Sequence, residues 1–261
     1  FPVCNVGFDI FVDAKAFFGN FSAIDFSFIR NTPRKNIVHE LRYDEKGYRS
    51  ECNIGRMSKI TPHLFQHCKV VDAVIVNYIG GDEFPPRYLR WLKDKYAPLI
   101  YLDYHSLALG RTVTSRKIYK VKRHFRYNPH WRKYIELADI VQMNYDELKS
   151  IFSETVNETG SIVQSAKNIY DAGPDIVIIT REDKELVLIA GPKYSPKIYI
   201  MPVHPVRKLV DSTGCGDSFA AGFVIRYYKD RDVVKACEHG LSLACQKAGF
   251  SGLTGFLKLI K

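Results

Sequence analysis

The chain has 261 residues, of which 46% are apolar and 25% are charged, and its formal net charge is +10. This composition is typical of a globular protein with ample length to bury a core. We recognise no apolar run of membrane-spanning length and no signal peptide, so no membrane partner is expected. The six cysteines are scattered without a Cys-x-x-Cys pair, which predicts reduced thiols in a cytoplasmic protein.

The N-terminal part of the chain predicts short strands and one helix, the helix at about residues 10–18. Strands are expected at residues 2–6, 25–30, 36–43 and 48–52. A turn with the sequence Asp-Glu-Lys-Gly occupies residues 44–47 and joins the last two of these strands. Polar residues at alternate positions predict that the resulting hairpin has one exposed face.

Four almost wholly apolar runs follow, and each ends in a polar residue. These polar residues are Asn77, Asp103, Asn144 and Thr180. Helical segments are expected between and after the runs, at about residues 85–96, 128–137, 147–152 and 161–171. Apolar strands that alternate with helices predict an α/β fold with a doubly wound, mainly parallel sheet. Ligands of such sheets bind beyond the carboxyl ends of the strands, so Asn77 and Asp103 are candidates for substrate binding.

The C-terminal part predicts two more strands, two helices and a glycine-rich turn. The strands are expected at 185–190 and 197–201, and the helices at about 218–228 and 232–247. The turn, residues 211–217, reads Asp-Ser-Thr-Gly-Cys-Gly-Asp. Its glycines allow a tight turn that presents amide N–H groups at a helix N-terminus, where they can hold an anion.

The anion-binding donors are expected to be the amides of Gly214, Cys215 and Gly216. Asp217 would repel a phosphate, but it could accept a proton from a hydroxyl that attacks one. The chain has no Gly-Lys dipeptide, which excludes a Walker A loop, and the third glycine of a dinucleotide-binding loop would fall at Phe219. An ordinary helix cap is the alternative interpretation.

Asp211–Phe219 resembles the second signature of the ribokinase-like (PfkB) carbohydrate kinases, Asp-x-Thr-Gly-x-Gly-Asp-x-Phe. The resemblance implies a ribokinase-like sandwich and ATP-dependent phosphorylation of a hydroxyl on a sugar or sugar-like molecule. It implies that Asp217 is the catalytic base and that the Gly-x-Gly amides stabilise the transferring phosphoryl group. It also implies a single kinase domain over residues 1–261, with a small β lid at about 32–53.

The same resemblance extends to a second motif. Asn144-Tyr145-Asp146-Glu147 fits the family pattern Asn-x-x-Glu, which implies that Asn144 binds phosphate and that Glu147 holds Mg²⁺ through water. Asn144 and Glu147 also have the spacing of a helix capping box, which is the alternative.

Further nucleotide contacts are implied at Thr180 and Thr213, and a monovalent cation such as K⁺ is implied beside Asp211. The family continues after its threonine with Thr-x-Gly-x-x-Gly, whereas this chain has Glu182 and Glu185 at the two glycine positions. This departure puts the close approach of a nucleotide at that turn in doubt.

The family's opening strand, with its acceptor-binding aspartate and Gly-Gly pair, does not appear in this sequence. Val3–Phe11 instead resembles the second core strand of the family. We therefore expect the native chain to be longer. The acceptor, the phosphate donor and the oligomeric state stay open, with a homodimer as one alternative.

A basic segment lies between Arg111 and Lys133, where nine basic residues occur without an acidic one. Aromatic residues lie between the basic ones. The segment could therefore be a nucleic-acid-binding surface or a patch that binds an anionic substrate. The preferred one is a solvated loop and helix face. Two rivals to a kinase are thus a nucleic-acid-binding protein and a non-catalytic relative that binds nucleotide or sugar.

Overall fold

The computed structural model describes residues 1–43, 45, 49–56, 58–117, 119–152, 158–181, 184–203, 209–252 and 255. The chain divides into two compact units. The first unit comprises Phe1–Val71, Tyr78–Ala97 and His105–Trp131, and the second comprises Asp72–Asn77, Pro98–Tyr104 and Arg132–Lys261. Among the described residues, no helix combines the length and apolarity that crossing a membrane requires.

The strands, in chain order, are β1 (Cys4–Gly7), β2 (Ile29–Thr32), β3 (Val38–Tyr43), β4 (Arg49–Ile54), β5 (Ala73–Asn77), β6 (Leu99–Asp103), β7 (Leu109–Ser115), β8 (Lys120–Phe125), β9 (Ile140–Asn144), β10 (Ile176–Arg181), β11 (Glu185–Ala190) and β12 (Lys197–Pro202). The α-helices are α1 (Phe11–Phe18), α2 (Pro86–Tyr96), α3 (Trp131–Ile135), α4 (Tyr145–Phe152), α5 (Thr159–Asp171), α6 (Cys215–Asp230) and α7 (Val233–Ala248). Short 3₁₀ helices lie at Pro62–Phe65 and His105–Ala108.

The second unit is built on a six-stranded sheet in the order β12-β11-β10-β9-β6-β5. Strands β5, β6, β9 and β10 run parallel, and β11 and β12 extend the sheet in antiparallel fashion. The four apolar runs therefore form the parallel strands that the sequence predicts. The central residues of β6, β9 and β10 are buried, as expected where helices cover such a sheet, whereas Ile75 of the edge strand β5 is 41% exposed. The predicted α/β class is confirmed.

The apolar side of α6 anchors this helix to the sheet. Phe223 has no exposed surface, and its ring centroid lies 5.8 Å from that of Tyr101 on β6. Helix α7 packs closely on α6. The two helices are so close at Gly222 that a Cβ there would lie only 2.8 Å from Leu243 Cδ1. The position of the N-terminus of α6 is therefore set by buried aromatic packing on one side and by close helix contact on the other.

Strand register brings polar residues to one edge of the sheet. Asn77 lies opposite Asp103, and Asp103 lies opposite Gln142. On the other side of β9, Asn144 lies opposite Thr180. The carboxyl ends of the parallel strands thus form the rim that the sequence predicts.

The first unit contains a two-stranded parallel sheet, β1-β2, and a four-stranded antiparallel sheet, β3-β4-β8-β7. The predicted hairpin is present as β3 and β4, although most of its turn lies outside the described residues. The strand predicted at residues 25–30 is wrong in position, because β2 begins only at Ile29. The Asp25 side chain accepts a hydrogen bond from the Ser27 amide at 2.9 Å, and such local bonds favour a turn over a strand.

The expectation of a loop and helix face for the basic segment is wrong at 111–115 and 120–125, where the structure has strands. Strands β7 and β8 occupy it and join the hairpin, because the β-branched residues of this region fit a pleated sheet. Arg123 is only 3% exposed and donates to the carbonyls of Ile79 and Ser106 at 2.9 and 3.0 Å. Arg111 pairs with Asp82 at 3.0 Å. Part of the positive charge is therefore internal to this unit.

Candidate active site

The N-terminus of α6 presents backbone donors. Gly214 is the N-cap residue, and its φ of 84° lies in the left-handed region that favours glycine. The Cys215 amide donates to the Ser212 carbonyl at 3.2 Å, so this predicted anion donor is engaged within the turn. The amides of Gly214 and Gly216 donate to no acceptor in the described ranges. Two donors therefore remain available where the helix dipole is positive.

Asp217 lies in the first turn of α6 and is exposed. The Asn77 side chain, at the carboxyl end of β5, donates a hydrogen bond from Nδ2 to Asp217 Oδ1. Asp217 Oδ2 has no hydrogen-bond partner among the residues that the structure describes. One carboxylate oxygen is thus fixed by the sheet, and the other can accept a proton.

Asp103 lies at the carboxyl end of β6 and is only 8% exposed. Burial raises the pKa of Tyr101 well above 10.0, and the Asp103 carboxylate raises it further. The Tyr101 hydroxyl donates to Gln142 Oε1. Asp103 therefore lies at the rim directly opposite Asn77 of β5.

Gln142 is a site residue that the sequence interpretation missed. A Cβ at Gly216 would lie 3.4 Å from Gln142 Nε2, so the first turn of α6 lies within contact distance of β9. A single polar residue within an otherwise apolar strand was the available signal, because buried amides need partners.

Asn144 and Glu147 form the capping box that was the alternative to a metal role. The Asn144 amide donates to Glu147 Oε2 at 2.8 Å, and the Glu147 amide donates to Asn144 Oδ1 at 2.9 Å. Glu147 is only 2% exposed. These contacts stabilise the start of α4 at the carboxyl end of β9.

The predicted nucleotide-contact residues lie in two places. Thr180 donates from Oγ1 to the Met143 carbonyl at 3.5 Å, at the end of β10. Its neighbour Arg181 pairs with Glu185 at 2.7 Å, while Glu182 lies outside the described residues. Thr213 is exposed before α6, and its amide donates to Asp211 Oδ1 at 2.9 Å.

Asp211 ties this turn to the segment that follows α7. The Gly252 amide donates to Asp211 Oδ2 at 3.0 Å. This bond, the Thr213 amide and the nearby Lys247 ammonium lower the pKa of Asp211 to about 2.

Lys247 is a second site residue that the sequence interpretation missed. It lies on the same stripe of α7 as Ala236, Gly240 and Ala244, which is the packed side of the helix. A lysine at such a position was the available signal.

The pKa of Asp211 predicts a specific loss of stability in acid. A lowered pKa in the folded state means that the ionised form stabilises the fold above pH 3.8, and that this contribution is lost as pH falls towards about 2. We expect Asp211→Asn to have a lower melting temperature than wild type at neutral pH. The difference between the two melting temperatures should disappear as the pH falls from 3.8 to about 2. Thermal unfolding at a series of pH values measures this. Melting curves that stay parallel would argue against the assignment, and Asp230→Asn provides the exposed control.

The sequence resembles proteins of one enzyme family. The pattern described as "pfkB family carbohydrate kinase" matches residues 119–258. A cytidine kinase of Thermococcus kodakarensis is 27% identical over 124 residues, which cover 45% of this chain and 44% of that enzyme. The match thus spans less than half the length of that relative.

Solved structures show the same fold. A pyrophosphate-dependent kinase in the ribokinase family, solved as a sulfate complex, has a TM-score of 0.74 at 18% identity, covering 95% of this chain and 80% of that one. The ribokinase of Arabidopsis thaliana, solved with ribose and ATP, has a TM-score of 0.69 at 16% identity, covering 99% and 81%. The fold is therefore ribokinase-like. Because the family pattern also covers more than half of the sequence, the chain belongs to the pfkB family of carbohydrate kinases.

Proposed function

We propose that the protein transfers a phosphoryl group to a hydroxyl of a sugar or sugar-like small molecule. The observation that carries this proposal is the position of Asp217 between two features. Asn77 fixes one of its carboxylate oxygens, and the Gly214 and Gly216 amides lie at the same helix N-terminus. A proton acceptor beside an anion-binding turn is what attack of a hydroxyl on a phosphoryl group requires.

Asp217 has the role of general base in this mechanism. Its free oxygen accepts the proton of the attacking hydroxyl, and the Asn77 amide holds the carboxylate in one orientation. The Gly214 and Gly216 amides bind the transferring phosphoryl group as charge develops on its oxygens. Most of the rate enhancement then comes from positioning and electrostatics.

The donor phosphates are proposed to arrive as MgATP. No three His, Cys, Asp or Glu side chains converge as ligands in the described part of the chain, which fits an ion that enters with the donor. Asn144 and Glu147, which lie where β9 ends and α4 begins, would hold this ion through water. When bound, Mg²⁺ shields the charge of the phosphates.

Glu147→Gln separates the metal role from the capping role. Glutamine at this position can still form the capping box, so we expect the melting temperature to stay close to that of wild type. Loss of the carboxylate charge should raise the Mg²⁺ concentration needed for half-maximal rate about tenfold. Magnesium titration of the rate, together with thermal unfolding, measures both effects. An unchanged magnesium requirement would leave Glu147 with capping alone, and Glu158→Gln at the capping box of α5 is the matched control.

An acceptor screen tests the proposed activity. The protein is incubated with ATP or pyrophosphate and with panels of sugars, nucleosides, inositols and pyridoxine-like alcohols, and phosphorylated products are identified by mass spectrometry. Pyrophosphate is included because Glu182 and Glu185 replace the glycines expected after Thr180. A phosphorylated acceptor is the expected result. Binding of nucleotide or sugar without product would favour a non-catalytic relative.

A further inference from the structure

Lys247 is a buried charge held by oxygen atoms. The residue is 2% exposed, and its ammonium Nζ lies 3.2 Å from the Phe250 carbonyl and 3.5 Å from the Asp211 carbonyl. Asp211 Oδ2 lies 3.6 Å away. A lysine is rarely buried to this degree unless its charge is paired. Two carbonyls that accept hydrogen bonds and one carboxylate in ion-pair range provide that pairing.

These oxygens do not fit an additional monovalent cation beside Asp211. The Lys247 ammonium already lies among them, and a second positive charge in the same place would be repelled. The expectation of K⁺ at Asp211 therefore disagrees with the residues present. We propose that Lys247 is a built-in cation of this kinase, whose ammonium takes the place of K⁺ and makes the enzyme independent of monovalent cations.

The ammonium joins the turn before α6 to the end of α7. The Asp211 amide donates to the Ala248 carbonyl at 3.2 Å, and the Gly252 amide donates to Asp211 Oδ2 at 3.0 Å. Lys247 Cε would lie 3.6 Å from a Cβ at Gly214. Lys247 thus lies behind the residue that caps α6. It acts as a positioning residue, because it holds the segment whose amides bind the phosphoryl group.

Chemical rescue by K⁺ tests this assignment. The rate measurements rest on the proposed function, whereas the melting temperatures do not. Wild type, Lys247→Ala and Lys247→Met are compared in KCl and in choline chloride, by rate and by melting temperature. Alanine leaves space for an ion among the oxygens, whereas methionine fills the space without a charge. Lys229→Ala, on the exposed side of α6, is the control.

Wild type and Lys229→Ala are expected to show equal rates and melting temperatures in both salts. In choline chloride, Lys247→Ala should be slower by about tenfold, since it loses a charged hydrogen-bond donor. KCl should restore its rate and raise its melting temperature by several degrees, while Lys247→Met should respond to neither salt. The melting temperature of Lys247→Ala in KCl, compared with that in choline chloride, tests the role of Lys247 as a built-in cation. This measurement does not require that any acceptor is phosphorylated.

Two results would overturn the proposal. One is activation or stabilisation of wild type by KCl relative to choline chloride. The other is a Lys247→Ala protein, folded or not, that responds to KCl no more than wild type does.

Discussion

Asp217→Asn is expected to lower turnover about a thousandfold without changing the melting temperature, because general base catalysis contributes a factor of this order. Asparagine has nearly the same shape as aspartate but cannot accept the proton of the attacking hydroxyl. The side chain is exposed at the start of α6, so its replacement leaves the core untouched. Steady-state rates with the acceptor identified by the screen, and thermal unfolding of the same samples, provide the measurement.

Asp230→Asn is the matched control for this loss. Asp230 lies at the other end of α6 and pairs with Arg226 at 2.9 Å. A surface ion pair of this kind contributes little to stability, and it is remote in sequence from the proposed chemistry. We expect wild-type turnover. Loss of turnover in both variants would show that any charge on α6 matters and would remove the specific role of Asp217.

Phe223→Ala is expected to destabilise the protein by about 3 to 5 kcal/mol, since it removes a buried aromatic ring and leaves a cavity. The ring is fully buried, and it lies between Phe219 and Tyr227 on α6, with centroid distances of 6.1 and 5.7 Å. Chemical denaturation of wild type and variant measures the difference in the free energy of unfolding. The apolar side of α6 would then be what holds Asp217 on the sheet.

Ile225→Ala tests whether that effect depends on burial. Ile225 belongs to the same helix but is 66% exposed. Its truncation should change the free energy of unfolding by no more than about 0.5 kcal/mol, as expected for surface positions. Equal destabilisation by the two variants would mean that helix propensity, rather than core packing, dominates at this helix.

The sequence predicted the parallel strands well because they combine two independent signals. Residues such as Ile140 and Val141 are apolar without alternation, and each run ends in a polar residue. Burial on both faces of a parallel sheet produces the first signal, and ligand binding at the carboxyl ends accounts for the second. The glycines on either side of Cys215 were equally informative, since a turn with positive φ at a helix start needs one.

Other features depend on contacts between segments that are distant in sequence. Lys247 could be placed on the packed side of a helix, but its oxygen partners come from Asp211, 36 residues earlier, and from the turn after α7. Basic residues such as Arg123 suggested a solvated surface. The carbonyls that Arg123 contacts belong to residues distant in sequence, so the spacing of the basic residues does not reveal them. The spacing of Asn144 and Glu147 fits two roles, and only the hydrogen bonds of the folded chain show the capping box.

The most direct test of phosphoryl transfer through Asp217 is phosphorus NMR of a reaction mixture that contains donor and acceptor. The account predicts a phosphomonoester signal that grows with wild type and is absent with Asp217→Asn over the same time, while donor binding persists. A phosphomonoester formed at the wild-type rate by Asp217→Asn would contradict it.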